Sequence, residues 1–98
     1  MQINKTKAGE ELTIALEGRL DTTTAPELDE VLKAELAGIS KLAFDLSKLE
    51  YISSAGLRVL LSAQKTMNKQ GSMVVRNVGE EVNEIFEVTG FSDILSIE

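Results

Sequence analysis

Apolar and polar residues alternate most clearly at Leu12, Ile14 and Leu16, which are interleaved with Thr13, Ala15 and Glu17. That period of two predicts a strand with one buried face. Gln2 to Lys7 alternates more weakly and reads as an edge strand. Ala8-Gly9-Glu10 between them reads as a tight turn, so the two segments predict a hairpin. After Gly18-Arg-Leu-Asp21 the period changes. Leu28, Val31, Leu32 and Leu36 recur at helical spacing, with Glu30, Lys33 and Glu35 on the other side. Thr24 and Glu27 have the spacing of a capping box, Pro26 falls in the first turn, and Gly38 is a natural stop.

Leu42 to Leu46 is nearly continuous in apolar residues and predicts a strand buried on both faces. Leu57, Leu60, Leu61, Gln64 and Met67 mark a second helix that ends at Gly71, and Met73-Val-Val75 a short buried strand. Glu80 and Glu81 open a third helix, where acids complement the helix dipole. Val82, Ile85, Phe86 and Thr89 form its inner face, and Gly90 ends it. Phe91 to Ile94 reads as a short turn, and Leu95-Ser-Ile97 as an edge strand or an ordered tail. The order is β-β-α-β-α-β-α-(β). It predicts an α/β fold in which an N-terminal hairpin continues into parallel strands of one mixed sheet, with helices packed on it.

Composition narrows the functions available. Ninety-eight residues fit a single domain, 1–98, and 43% apolar content supports a modest core. The net charge is −6 and the cations are scattered from Lys5 to Arg76, which argues against a nucleic-acid partner. The same charge disfavours anionic membranes and favours a soluble monomer. No apolar run approaches a membrane span, and the N-terminus has no signal core, so the expected location is cytoplasmic. With no cysteine and no histidine, disulfides, thiolate chemistry, a Ser-His-Asp triad and the usual zinc ligands are excluded. No glycine-rich segment matches a nucleotide-binding loop, and no cofactor is expected.

Candidate chemistry gathers in Asp45-Leu-Ser-Lys-Leu-Glu-Tyr-Ile-Ser-Ser-Ala-Gly-Leu-Arg58. Ser53 and Ser54 stand where a strand-fed loop enters a helix. They read either as a helix cap or as a phosphate site, since backbone N–H groups and the dipole both point there. Gly56 would allow another backbone to approach closely. Asp21 and Asp45 read as turn-bracing carboxylates at strand ends, which cluster on one edge of an open sheet. Two carboxylates are too few for a metal site. Leu57 reads as core and Arg58 as a solvated cation, and either is also a candidate partner contact.

Two segments together resemble the STAS domain family, and within it the bacterial anti-sigma factor antagonists. Leu16-Glu-Gly-Arg-Leu-Asp21 with Thr-Thr-Thr-Ala-Pro-Glu-Leu28 is similar to the family's G-x-L-D strand end and first helix. Leu42-Ala-Phe-Asp-Leu-Ser-Lys-Leu-Glu-Tyr-Ile-Ser-Ser-Ala-Gly-Leu57 resembles its D-L-S-x-L-x-x-[IM]-D-S-[ST/A]-G-L segment. The resemblance implies a non-enzymatic module that binds an anti-sigma factor and so frees a sigma factor. It implies that this anti-sigma factor is a serine kinase of the histidine-kinase-like ATPase type, whose phosphorylation of one serine ends binding. A PP2C-type phosphatase then restores binding. Aligned on Gly56-Leu57 the serine is Ser54, with Ser53 as the alternative acceptor and Asp21 as the acidic neighbour. The chain departs from the pattern at Ser53, where these antagonists usually carry Asp, and has Ala55 at the following Ser/Thr position. The alternative reading is an interaction module or sensor that binds an anion or nucleotide without phosphorylation.

Overall fold

The sheet is built from alternating, leucine-rich segments. The computed structural model describes residues 1–98 and contains β1 (Gln2–Ala8), β2 (Glu11–Leu20), β3 (Lys41–Ile52) and β4 (Ser72–Arg76). Three helices intervene, α1 (Ala25–Glu35), α2 (Ser54–Gln70) and α3 (Glu80–Thr89), and a single 3-10 turn spans Phe91–Asp93. Strand order follows the chain, β1-β2-β3-β4. β1 and β2 are antiparallel, whereas β2, β3 and β4 are mutually parallel. The tail forms no full strand. Ile97 makes one parallel bridge to Val75, held by Val75 N–H to the Ser96 carbonyl at 2.8 Å and Glu98 N–H to the Val75 carbonyl at 2.9 Å.

One face of the sheet is buried. Leu12, Ile14, Leu16, Leu42, Phe44, Leu46, Met73 and Val75 join residues of all three helices in a core of 23 buried residues. β3 is therefore not covered on both faces, contrary to the expectation from its apolar run. Ala43 is buried but stands outside that core, on the opposite face between Thr13 and Val74. A small side chain hemmed by two strand neighbours is shielded without any layer above it.

β3 also runs further than its apolar run suggests. Its register against β2 shifts twice, so β3 advances three residues from Asp45 to Lys48 while β2 advances two, and two from Leu49 to Tyr51 while β2 advances one. Each shift is a β-bulge, which places an extra residue on one strand and reverses the side-chain parity beyond it. Leu46, Leu49 and Ile52 consequently all point to the core at a spacing of three. Lys48 and Glu50 stay outside, where an unbroken strand would have buried them. Gly18, at φ +100°, lies on β2 between the two shifts and supplies backbone that a side-chain-bearing residue rarely adopts.

The turn into α1 differs from the expected capping box. Thr24 has helical backbone angles and caps nothing with its side chain. Its hydroxyl donates to the Arg19 carbonyl and accepts from Asp21 N–H, each at 2.8 Å. Pro26 does lie in the first turn, where its missing N–H costs nothing. Leu28 and Leu32 carry the buried face of α1, while Val31 is half-buried. In α2 the buried face is Leu57, Leu60, Ala63, Gln64 and Met67, and in α3 it is Val82 and Phe86.

Candidate functional site

β2 and β3 are parallel and end side by side, Leu20 opposite Ile52. Ser53 N–H donates to the Leu20 carbonyl at 2.9 Å, so the first residue past β3 is tied to the residue just before Asp21. Two strand-to-helix junctions thus meet at the carboxyl edge of the parallel strands, the usual place for a site in an open sheet.

The first junction is Asp21 to Thr24. Asp21 Oδ1 accepts from the Thr23 hydroxyl at 2.7 Å and from the N–H groups of Thr23 and Thr24 at 3.0 and 3.2 Å. The Asp21 carbonyl accepts from Ala25 N–H at 2.8 Å. Asp21 is therefore the Asx-type brace expected of it. Donation to an ionised carboxylate favours the charged form, and the Thr23 hydroxyl is the main cause of a lowered pKa at Asp21. Partial desolvation opposes that hydroxyl, and the Thr24 and Thr23 backbone N–H groups add to it.

The second junction is a single residue. Ser53 is extended, with φ −97° and ψ 176°, and its carbonyl accepts the first helical bond, from Leu57 N–H at 2.9 Å. Its hydroxyl oxygen accepts from Gly56 N–H at 3.4 Å, a long and weak cap. Ser54 is the first residue of α2, is exposed, and makes no side-chain hydrogen bond. The cap and the free hydroxyl therefore belong to different serines.

Gly56 is buried beneath this junction. A Cβ there would meet Leu20 Cγ at 2.7 Å and Ile52 Cγ1 at 2.9 Å. The close approach is made by two side chains, the last residues of β2 and β3, and not by another backbone as the sequence suggested. Leu57 is buried in the core at 5% exposure and has no surface to offer a partner. Ala55 is half-buried and Arg58 exposed. Both line a groove of about 350 Å³ between α1 and α2, together with Thr22, Ala25, Pro26 and Asp29.

Asp45 is not at this edge. It is aligned with Ala15 and with Arg76 at the end of β4, well short of Ile52. Asp45 Oδ1 accepts from Ser47 N–H at 3.0 Å and from Asn77 Nδ2 at 3.1 Å. The Ser47 N–H, followed by Asn77, lowers its pKa against partial desolvation. Asp45 thus braces the first bulge of β3 against the loop after β4, where Asn77 has a left-handed backbone at φ 57°. No three acidic side chains converge on a possible metal site.

Sequence reasoning missed Arg19 and Tyr51. They are paired across β2 and β3, and the Arg19 guanidinium carbon lies 4.4 Å from the Tyr51 ring centroid. Arg19 Nε is also 4.0 Å from Asp21 Oδ2. Each residue stands two places before its junction residue, Asp21 or Ser53. That equal offset was the available signal, but it has meaning only once the two strand ends are known to be neighbours.

The sequence family and the fold recur in known proteins. The family described as "Mlab, STAS domain" matches residues 3–96, and the chain belongs to that family. Among curated relatives, the putative anti-sigma factor antagonist BtrV of Bordetella bronchiseptica is 34% identical over 99 residues, which cover 99% of this chain and 85% of that protein. The anti-sigma-B factor antagonist of Listeria monocytogenes is 30% identical over 96% of this chain and 84% of its own length. The fold is that of an anti-sigma factor antagonist from Mycobacterium paratuberculosis, with a TM-score of 0.88 at 23% identity over 98% of this chain and 83% of that one. A putative antagonist from Thermotoga maritima gives a TM-score of 0.89 at 19% identity, over 97% and 84% of the two chains. These relatives are regulatory binding proteins and not enzymes. No helix of this chain is long and apolar enough to cross a membrane.

Proposed function

We propose that the chain is an anti-sigma factor antagonist whose docking surface is centred on Ser54, and that phosphorylation of Ser54 switches binding off. The partner in this reading is an anti-sigma factor that is also an ATP-dependent serine kinase. Binding would sequester it and release a sigma factor in the cytoplasm, with the free antagonist a monomer. The Ser54 oxygen takes the γ-phosphoryl group of ATP, gives up its proton, and ADP leaves. A PP2C-type phosphatase hydrolyses the phosphoserine and restores the hydroxyl.

The observation that carries the proposal is the division of labour between the two serines. Ser53 is committed to the cap, whereas the Ser54 hydroxyl is exposed and unbonded. Ser54 is therefore favoured over Ser53 as acceptor. A phosphate adds about −1.5 to −2 charge, and a helix N-terminus tolerates that without refolding. The penalty falls on the interface, where the partner meets a bulky dianion in place of a small hydroxyl. A differential of about 3 kcal/mol weakens binding by roughly a hundredfold, which is enough for a switch.

Incubation with the cognate kinase and ATP, read by mass spectrometry of the intact chain and its peptides, is expected to place one phosphate on Ser54. In a pull-down, Ser54→Ala should retain the anti-sigma factor and Ser54→Asp should lose it. Equal retention of both variants would overturn the switch.

A further inference from the structure

Arg58 stands one helical turn beyond Ser54 on α2, and residues so spaced have Cβ atoms about 5–6 Å apart on one face. Both side chains are exposed. Several cations of the chain are ion-paired, Lys5 with Glu35, Lys33 with Asp29, Lys41 with Glu11 and Arg76 with Glu98, whereas Lys7, Lys48, Lys65 and Lys69, like Arg58, are not. Arg19 lies over Tyr51. Arg58 makes neither an ion pair nor a side-chain hydrogen bond, although Asp29 lines the same groove. Asp29 turns instead to Lys33, at 2.9 Å. The first turn of α2 also holds no acid, whereas α1 carries Glu27 and α3 carries Glu80 and Glu81 there. A free guanidinium therefore stands one turn from the exposed Ser54 hydroxyl with no counter-charge of its own.

We infer that Arg58 is a built-in counter-charge for a phosphate on Ser54. The inference rests on the reading of Ser54 as the acceptor. A guanidinium presents its donors as a planar fork that fits two phosphate oxygens at once, which an ammonium does not. Before modification that fork is free to take a carboxylate of the docked partner. After modification it is occupied by the chain's own phosphate. Phosphorylation then weakens docking twice, by adding an anion and by withdrawing a cation from the surface. The other charged groups of the two junctions are Arg19 with Asp21, which is bonded to Thr23 and Thr24, and Asp29, which lines the groove with Arg58 and is held by Lys33.

The test is the second ionisation of phosphoserine 54, followed by phosphorus NMR on the full chain with phosphoserine incorporated genetically at that position. It is measured in the wild-type background, in Arg58→Gln and in Arg58→Lys, with far-UV circular dichroism to confirm folding. The helix dipole acts equally on all three, so the differences report the side chain. The expected result is a wild-type ionisation below the ordinary value of about 6, a rise of roughly 0.3 to 1 unit in Arg58→Gln, and partial recovery in Arg58→Lys. The difference should shrink in 1 M salt. Titration curves of Arg58→Gln and wild type that superimpose would overturn the inference. Failure of the kinase to modify Ser54, with the titration difference intact, would instead overturn the switch proposal alone.

Discussion

The two strand-to-helix junctions are neighbours in space and opposites in construction. Asp21 to Thr24 is a closed turn, in which a carboxylate takes three donors at 3.2 Å or less and a threonine hydroxyl bridges back to β2. Ser53 is one residue long, and its cap bond is 3.4 Å. The first junction fixes position, and the second leaves a hydroxyl and an arginine unspent. The switch proposed above would use both: a rigid side to set the geometry and an unsatisfied side on which the charge can change.

The two junctions share a floor, and removing it has the largest expected effect. Leu20 is fully buried and abuts Gly56, so Leu20→Ala should cost about 3 kcal/mol in urea unfolding, within the range of such truncations. A smaller effect comes from the opposite change. Gly56→Ala gains about 1 kcal/mol of helix propensity, but its methyl meets Leu20 and Ile52 well inside contact distance. The net outcome should be a loss of about 1–2 kcal/mol in the same experiment, with reduced partner binding as α2 is displaced. Ser53→Ala should cost less, about 0.5 kcal/mol, because the bond it removes is already long. A cost near ~2 kcal/mol would mean that the cap is firmer than its length implies.

Ser54→Asp separates stability from binding. An acid in the empty first turn of α2 should raise stability by about 0.3–1 kcal/mol, read as a higher thermal midpoint, in the same variant that loses the anti-sigma factor. The last contrast is with pH. Asp21 and Asp45 both have lowered pKa values in the folded chain. Their contribution is complete above the unfolded value of about 3.9 and is lost as the pH falls through the lower folded values. A urea midpoint followed from pH 7 to pH 2 should therefore hold level and then drop below about pH 4. Asp21→Asn or Asp45→Asn should flatten that drop, since each removes one of the two groups.

Much of this was legible in the residues. Leu12, Ile14 and Leu16 declared β2 and its inner face, and the leucines of α1 and α2 declared helices, because an element with one buried face prints its period on the chain. β3 was legible only to Leu46. Beyond it the apolar residues fall every third place, a spacing that matches neither a regular strand nor a helix, since bulges are invisible until a partner strand sets the register. The Thr24–Glu27 spacing suggested a capping box, yet the threonine hydroxyl found a shorter route to the Arg19 carbonyl. Asp45 read as a strand end because it interrupts an apolar run, while the strand in fact continues through it. At the site, local patterns marked Asp21 as a turn brace and Ser53 with Ser54 as a cap or phosphate site, and only the family resemblance singled out Ser54. Arg19 with Tyr51 did not, because the pair exists only through the alignment of two distant segments.

The short tail has a consequence for assembly. Residues 96–98 bond to the outer side of Val75, so the middle of β4 is already occupied. β1 is then the only strand with a long open rim, and that rim carries Lys5 and Lys7. A sheet with sticky rims on both sides can recruit copies without limit and grow into a fibre. A sheet with one such rim can pair once, rim to rim, and is then saturated. The bridge at Ile97 thus covers the middle of β4, so an added strand would find its longer free rim at β1.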